Sequence, residues 1–153
     1  MQIIIDSKIM SAADLSGVSS ESAAEHTYME APCDVAVRGG ALYVSYKEQS
    51  EGLENTMCAI KVWDGTAGNG KVATIKRVGM VCGEIHIEEG QTHELLYNTG
   101  FGDIPMSVTG QAVRCTAGLS GGQIWLKYNM KIEAMDVDNT VEMSINIAAE
   151  NTK

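Results

Sequence analysis

The sequence predicts an all-β fold: a single antiparallel, meandering barrel domain of about eight to ten strands that spans residues 1–153. Apolar and polar residues alternate along most of the chain, which is the period of a strand with one buried face. Turn signals rich in glycine separate the alternating runs at short intervals. Sixteen glycines against two prolines suit a sheet that turns often and keeps its backbone donors.

The alternation is clearest in four runs, and it assigns their apolar residues to one buried face. The predicted inward residues are Leu42, Val44 and Tyr46; Cys58, Ile60 and Val62; Ile124, Leu126, Tyr128, Met130 and Ile132; and Val141, Met143, Ile145 and Ile147.

Turns are predicted between these runs, and together they delimit about ten strands. The turn signals lie at Gly39-Gly40, 64–70, Glu89-Gly90, 100–102, 118–122 and 136–139. Ten strands are too many for one open sheet, which leaves a sandwich or a closed barrel. A barrel is favoured because closure removes exposed strand edges. Ser11 to His26 does not alternate and is predicted to be a long connection, with room for a helical turn.

Composition excludes several classes of function. Apolar residues make up 44% of the chain and charged residues 20%, a globular balance. The net charge of −9 argues against nucleic-acid and anionic-membrane partners. The four cysteines form no C-x-x-C pair and are predicted to be reduced, packed thiols. No apolar run is long enough for a membrane span, and Asp6 and Lys8 interrupt the apolar start, so a cytoplasmic location is expected.

The Gly-x-Gly within Tyr97–Gly110 raises the question of a phosphate-binding loop. Such a loop needs a helix directly after the glycines, because the helix N-terminus supplies the donors. Here Ile104, Met106 and Val108 alternate with polar residues instead. The segment after the glycines is therefore predicted to be a strand, and the glycines a turn with a bulge.

The same segments carry a family resemblance. In order, the runs "LYVSYKE", Thr56 with "IKV", "KRVG", "IEEG", "LLYNTGFGDIPMSVTG" and "GGQIWLKYNMKI" resemble the YwiB-like family of uncharacterised bacterial proteins. The likeness extends from about Leu42 to Ile147. It implies a calycin-like, lipocalin-type β-barrel, and it brings no activity and no catalytic residue with it.

A tight turn at Glu89-Gly90 is predicted to place His86 opposite His93, Glu84 opposite Leu95 and Cys82 opposite Tyr97. His86, His93 and Glu84 are then weak candidates for metal ligands. By the alternation, both histidines fall on the outer, solvent-facing side of their strands. They are therefore expected to be solvent-exposed, with few neighbours to orient them. The sequence therefore predicts no bound metal and no other cofactor.

Four polar residues share the inward parity: Tyr46, Arg77, Tyr97 and Tyr128. Hydroxyls and one guanidinium among apolar walls suit a pocket for a small apolar or anionic molecule. Arg77 is expected at a barrel mouth, paired with a polar neighbour or available to an anion. The alternative is a structural or interaction module with a packed core and an unidentified protein partner. No Ser-His or Cys-His couple and no buried acid pair is visible, so an enzyme is the least favoured class.

Overall fold

The computed structural model describes residues 1–11, 24–49, 55–65, 70–98 and 102–149. Ten strands and one short 3-10 turn, Glu133–Met135, make up the regular structure of these residues, so the predicted all-β fold is confirmed. The strands are β1 (Gln2–Ser11), β2 (Ala24–Arg38), β3 (Ala41–Lys47), β4 (Met57–Asp64), β5 (Lys71–Val78), β6 (Gly83–Glu88), β7 (Thr92–Asn98), β8 (Asp103–Cys115), β9 (Gly122–Ile132) and β10 (Val137–Ala148).

The strands form one antiparallel meander that closes almost completely into a barrel. Their order is β6-β5-β4-β3-β2-β1-β10-β9-β8-β7, so strands that follow each other in the chain are paired, except β6 and β7. The first and last strands pair along their length, from Gln2 with Ala148 to Ser11 with Asn139. The two ends of the sheet, β6 and β7, meet along a line that we call the seam.

Strand β2 belongs to both halves of the barrel wall. Its first part, through Pro32, pairs with β1, and its second part, from Cys33, pairs with β3. Pro32 has no N–H to donate, and it lies where the pairing passes from one neighbour to the other, a position that suits proline within a sheet. This long strand turns the corner between the two halves.

The interior is one contiguous apolar cluster to which strands β1–β6 and β8–β10 contribute buried residues. The inward residues predicted in β3 and β4, and Ile124, Leu126 and Tyr128 in β9, are all buried. The four predicted in β10 are buried as well. Met130 and Ile132 are only partly buried, because they lie near the end of β9. The alternation therefore identified the core face of these strands.

The seam is fastened at both of its ends by backbone hydrogen bonds. At one end Cys82 and Asn98 exchange two bonds, each 2.8 Å long. At the other end Gly110 of β8 accepts a bond from Gly90 N–H and donates one to the Gln91 carbonyl, both 3.0 Å long. In the described residues no continuous ladder joins β6 to β7 between these points. The barrel is therefore closed at the seam by two short sets of backbone hydrogen bonds, which we call the clasps.

Three local predictions need correction, and the first concerns the register on the two sides of the turn at Glu89-Gly90. The tight turn at Glu89-Gly90 forms, with Gln91 N–H bonded to the Glu88 carbonyl at 3.0 Å, but Cys82 lies opposite Asn98 and not Tyr97. The register of a regular hairpin fails because β6 and β7 pair with β5 and β8 instead.

The predicted connection from Ser11 to His26 is too long at both ends. Ser11 closes β1 opposite Asn139, and β2 already starts at Ala24 because its backbone pairs with Met10. Residues 12–23, with the suggested helical turn, lie outside the described part of the chain.

The turn expected at 136–139 falls earlier, where Asp136 follows the 3-10 turn in a left-handed conformation with φ of 53°. In the described residues no helix has the length and apolarity that would let it cross a bilayer.

Candidate functional site

Polar residues gather at the end of the barrel where the β3–β4 and β5–β6 connections lie. Neighbouring strands place one inward-facing row there, in which Tyr46 pairs with Cys58, Cys58 with Arg77, and Arg77 with Gly83. The row reaches the seam at Gly83. A Cβ on that glycine would lie 2.5 Å from the Tyr97 ring, so the missing side chain provides the space in which Tyr97 meets Arg77.

Arg77 is the centre of this group. Its Nη1 donates a hydrogen bond to the Tyr97 hydroxyl at 3.2 Å, and its Nε lies 3.6 Å from Glu48 Oε2. The Arg77 side chain is 24% exposed, whereas that of Glu48 is 4% exposed. The Arg77 side chain is thus partly exposed at a barrel end, although its Nε is buried, and it already has a carboxylate beside it, in the position that the alternation predicts.

Glu48 was missed in the sequence reading, although a signal for it exists. It extends the inward alternation of Leu42, Val44 and Tyr46 by one more step. The Glu48 N–H bonds to the Thr56 carbonyl at 2.8 Å, so the pairing of β3 with β4 continues past the strand ends and holds Glu48 inward. Parity continued beyond the last apolar residue of β3 would have identified this carboxylate.

Burial is the main cause of the pKa shifts of the phenols and the thiol in this group. It raises the pKa of the Tyr46 phenol, whose neighbour Cys58 acts in the same direction, and it raises the pKa of the Cys58 thiol. The pKa of Tyr128 rises to about 12 through burial, although the charge of Arg77 opposes the shift. Burial acts to lower the pKa of Arg77, but Tyr97 and Cys58 outweigh it, and the net shift is upward. At neutral pH these groups offer one cation and several protonated donors.

The four predicted residues therefore converge, although they come from β3, β5, β7 and β9. We call them, together with Glu48 and Cys58, the mouth cluster: Tyr46, Glu48, Cys58, Arg77, Tyr97 and Tyr128. Its hydrogen-bond donors and its one guanidinium could hold a carboxylate or phosphate group. Neither His86 nor His93 belongs to it, because both lie at the other end of the seam.

His86 and His93 meet across the tight turn, with ring centroids 4.0 Å apart. The sequence predicts both to be solvent-exposed; their side chains are partly exposed, at 30% and 39%, and both Nε2 atoms are buried. The carboxylate beside them belongs to Glu88 and not to the predicted Glu84, which lies one step farther along the same face of β6. The spacing His86-Ile87-Glu88 was the available signal.

A groove of 630 Å³ lies on the barrel wall at β7, β8 and the turn after β9. Leu95, Leu96, Pro105, Met106, Lys131 and Glu133 are among the residues that line it. Leu96 is 60% exposed and contributes apolar surface to the groove. The groove is separate from the mouth cluster in its lining.

Comparison with known proteins places this chain in a family. A family model described as a domain of unknown function, DUF1934, matches residues 15–145. The chain belongs to this family. The crystal structure of the ywiB protein from Bacillus subtilis is similar, with a TM-score of 0.70 at 16% sequence identity over 97% of this chain and 92% of that one. The resemblance inferred from the motifs is confirmed, and the structural likeness supports the barrel fold. No curated protein matches the chain.

Proposed function

We propose that this member of the family is a non-catalytic binding protein that takes a small anionic molecule at the mouth cluster. The observation that carries the proposal is the inward-facing Arg77, whose side chain is 24% exposed and whose guanidinium donates a hydrogen bond to the Tyr97 hydroxyl. A charged donor among apolar walls fixes the orientation of a small ligand and discriminates by charge.

An anionic ligand at the mouth fits better than an apolar ligand deep in the barrel. A contiguous cluster of buried residues, including Ile60, Leu126 and Ile145, fills the interior. A ligand would therefore sit at the barrel end and contact Arg77 and Tyr97 through its charged group. The same argument makes Glu48 a competitor, because its carboxylate already lies 3.6 Å from the guanidinium.

Two probes of nearly equal size, one anionic and one neutral, test the proposal. Benzoate and benzamide share a ring and differ in charge, and their binding can be followed by NMR shifts of the Arg77 side chain. We expect benzoate to bind and benzamide to bind at least about tenfold more weakly, since tenfold requires only about 1.4 kcal/mol. Equal binding of the two probes would contradict the proposal.

Variants on either side of the ion pair separate a binding role from a structural one. Arg77→Met should abolish benzoate binding. Glu48→Gln removes the competing charge and should tighten it by about tenfold or more. Lys76→Met changes an exposed neighbour and is the matched control. Benzoate binding that is unaffected by Arg77→Met, in a variant shown by circular dichroism to be folded, would refute the proposal.

A second candidate is an interaction module, favoured by the filled interior and by the 630 Å³ outer groove. In this role the partner would be a protein segment with an apolar side chain against Leu96 and Pro105. Native mass spectrometry of the chain isolated from its own host distinguishes the two candidates. A small-molecule adduct lost in Arg77→Met supports the first, and a stoichiometric protein partner lost in Leu96→Asp supports the second.

We place this activity in the cytoplasm and assign it no nucleic-acid or membrane partner. The proposal rests on the net charge of −9 and on the four free cysteines, a state typical of a reducing compartment.

A further inference from the structure

The contact of His86, Glu88 and His93 at the seam forms a second polar group, independent of the mouth cluster. Nε2 of His86 lies 3.5 Å from Glu88 Oε1, and Nε2 of His93 lies 3.9 Å from the same oxygen. One potential ligand atom from each of the three residues lies within 4.8 Å of the others. We call these three residues the seam triad.

The local fold brings the triad together from both sides of the turn. His86 and Glu88 are two residues apart on β6, so they share the face opposite the buried Ile85 and Ile87. His93 is the second residue of β7 and reaches them across the turn at Glu89-Gly90.

Neighbouring side chains also orient the triad. The Trp63 ring meets His86 edge to face at a centroid distance of 5.9 Å and limits its rotation. A supporting contact on at least one ligand is therefore present, where the sequence suggested none.

In the described part of the chain, each imidazole has a buried nitrogen that makes no hydrogen bond. Nε2 of His86 and Nε2 of His93 are buried, and neither has a hydrogen-bond partner among the described residues. A buried polar atom without a partner carries a desolvation penalty that a bound metal would remove. In a tetrahedral zinc site with bonds of about 2.0–2.1 Å, ligand atoms lie about 3.3 Å apart. The two nitrogen-to-oxygen distances in the triad are close to this value, and a small side-chain rotation would reach it.

The ligand types select the class of ion. Two imidazoles and one carboxylate suit zinc and its transition-metal neighbours, whereas calcium and magnesium need sites built from oxygen. The net charge of −9 favours cations in general. The nearest lysine in the same cross-strand row, Lys61, lies over the Trp63 ring at 4.6 Å and over the Tyr43 ring at 5.4 Å. Its charge is thereby partly balanced by aromatic faces.

We propose that the seam triad binds one divalent transition-metal ion of the zinc class, with His86 Nε2, His93 Nε2 and Glu88 Oε1 as ligands. The ion cross-links β6 to β7 where no continuous ladder joins them in the described structure. The triad side chains are 30–39% exposed, so water can occupy a fourth position. The site acts as a third clasp on the seam and stabilises the closed barrel.

The test is titration of the chelator-treated full chain with zinc alone, followed by isothermal calorimetry and thermal unfolding. We expect one ion per chain and a melting temperature that rises by several degrees at saturating zinc, because the ion binds the folded state. Magnesium at the same concentration should leave the melting temperature unchanged. Cobalt(II) should give the strong visible absorption of a four-coordinate site.

Matched variants decide whether the ligands are those named. His86→Gln, His93→Gln and Glu88→Gln should each weaken zinc binding at least about tenfold. His26→Gln, which changes the exposed remaining histidine, and Glu84→Gln, one step away on the same face, should not change it. Zinc affinity equal in His93→Gln and in the unmodified chain would overturn the proposal. So would absence of one-to-one binding to a chain whose NMR spectrum shows it to be folded.

Discussion

Gly110→Ala is expected to open the seam at its β8 clasp. A Cβ on Gly110 would lie 2.3 Å from the Glu88 carbonyl oxygen and 2.6 Å from the Glu88 nitrogen. These are backbone atoms, so no side-chain rotation can relieve the overlap, and ordinary contact requires a separation of about 3.5 Å. Strand β8 and the β6–β7 turn must therefore move apart by roughly 1 Å.

The magnitude follows from what that movement breaks. The two hydrogen bonds between Gly110 and the turn, both 3.0 Å long, contribute about 1 kcal/mol each. Forcing an extra methyl into a packed site adds about 1–3 kcal/mol. The lower entropy of alanine in the unfolded chain returns roughly 0.4–1 kcal/mol. We expect a net loss of about 3 kcal/mol in the free energy of unfolding, equivalent to a fall in melting temperature of about 6–12 °C.

Urea denaturation followed by tryptophan fluorescence measures this loss, and hydrogen exchange at Gly90 and Gly110 locates it at the seam. Gly118→Ala is the matched control, because a Cβ there meets nothing within 4 Å. It should change the free energy of unfolding by less than about 0.5 kcal/mol. If the two variants were equally stable, the seam would not depend on the Gly110 clasp and the reasoning would be refuted.

Two further predictions concern the mouth cluster. Arg77→Met deprives the buried Glu48 of its guanidinium partner and should cost about 3 kcal/mol in urea denaturation, with much of the loss recovered by adding Glu48→Gln. Lys71→Met, which breaks an exposed pair, is the control and should cost under about 1 kcal/mol; equal losses would contradict the argument. The free energy of unfolding should fall as the pH rises from about 10 to about 12, because the unfolded chain releases the Tyr128 proton near 10 while burial raises its folded pKa to about 12. At 1.36 kcal/mol per pKa unit the loss in the free energy of unfolding is roughly 2–3 kcal/mol. This loss should be smaller in Tyr128→Phe and unchanged in the control Tyr43→Phe. Identical pH profiles of the two variants would contradict burial of Tyr128 as the cause.

Local alternation was sufficient to predict which residues of the barrel wall face inward. It also predicted the inward position of two members of the mouth cluster, Tyr46 and Arg77. Tyr46 and Arg77 were placed inward because a strand repeats every two residues, whatever its neighbours are. The same rule continued past the end of β3 contains Glu48. These features depend on one strand at a time, and a single sequence carries that information.

Contacts across the seam depend on two strands that do not form a regular hairpin, so local pattern could not give them. A regular register puts Cys82 opposite Tyr97, whereas the structure pairs Cys82 with Asn98. That difference lets Tyr97 enter the space beside Gly83. The sequence predicted Glu84 beside the histidines, whereas the structure has Glu88 there, and the irregular register across the seam explains this difference too. Which strands close a barrel is a property of the whole sheet, because closure depends on its stagger and strand number.

The pairing of β1 with β10 also determines the order in which the chain can be assembled. Residues 2–11 of β1 bond to residues 139–148 of β10, so the earliest of the described strands has one neighbour, β2, that is synthesised directly after it and another, β10, that is synthesised last of the described strands. During synthesis that side of β1 is an open edge, able to pair with other nascent chains. Contacts so distant in sequence also form slowly. Protection of the β1 edge during biosynthesis is therefore a requirement built into the topology, and expression yield should be most sensitive to substitutions that lengthen this exposure.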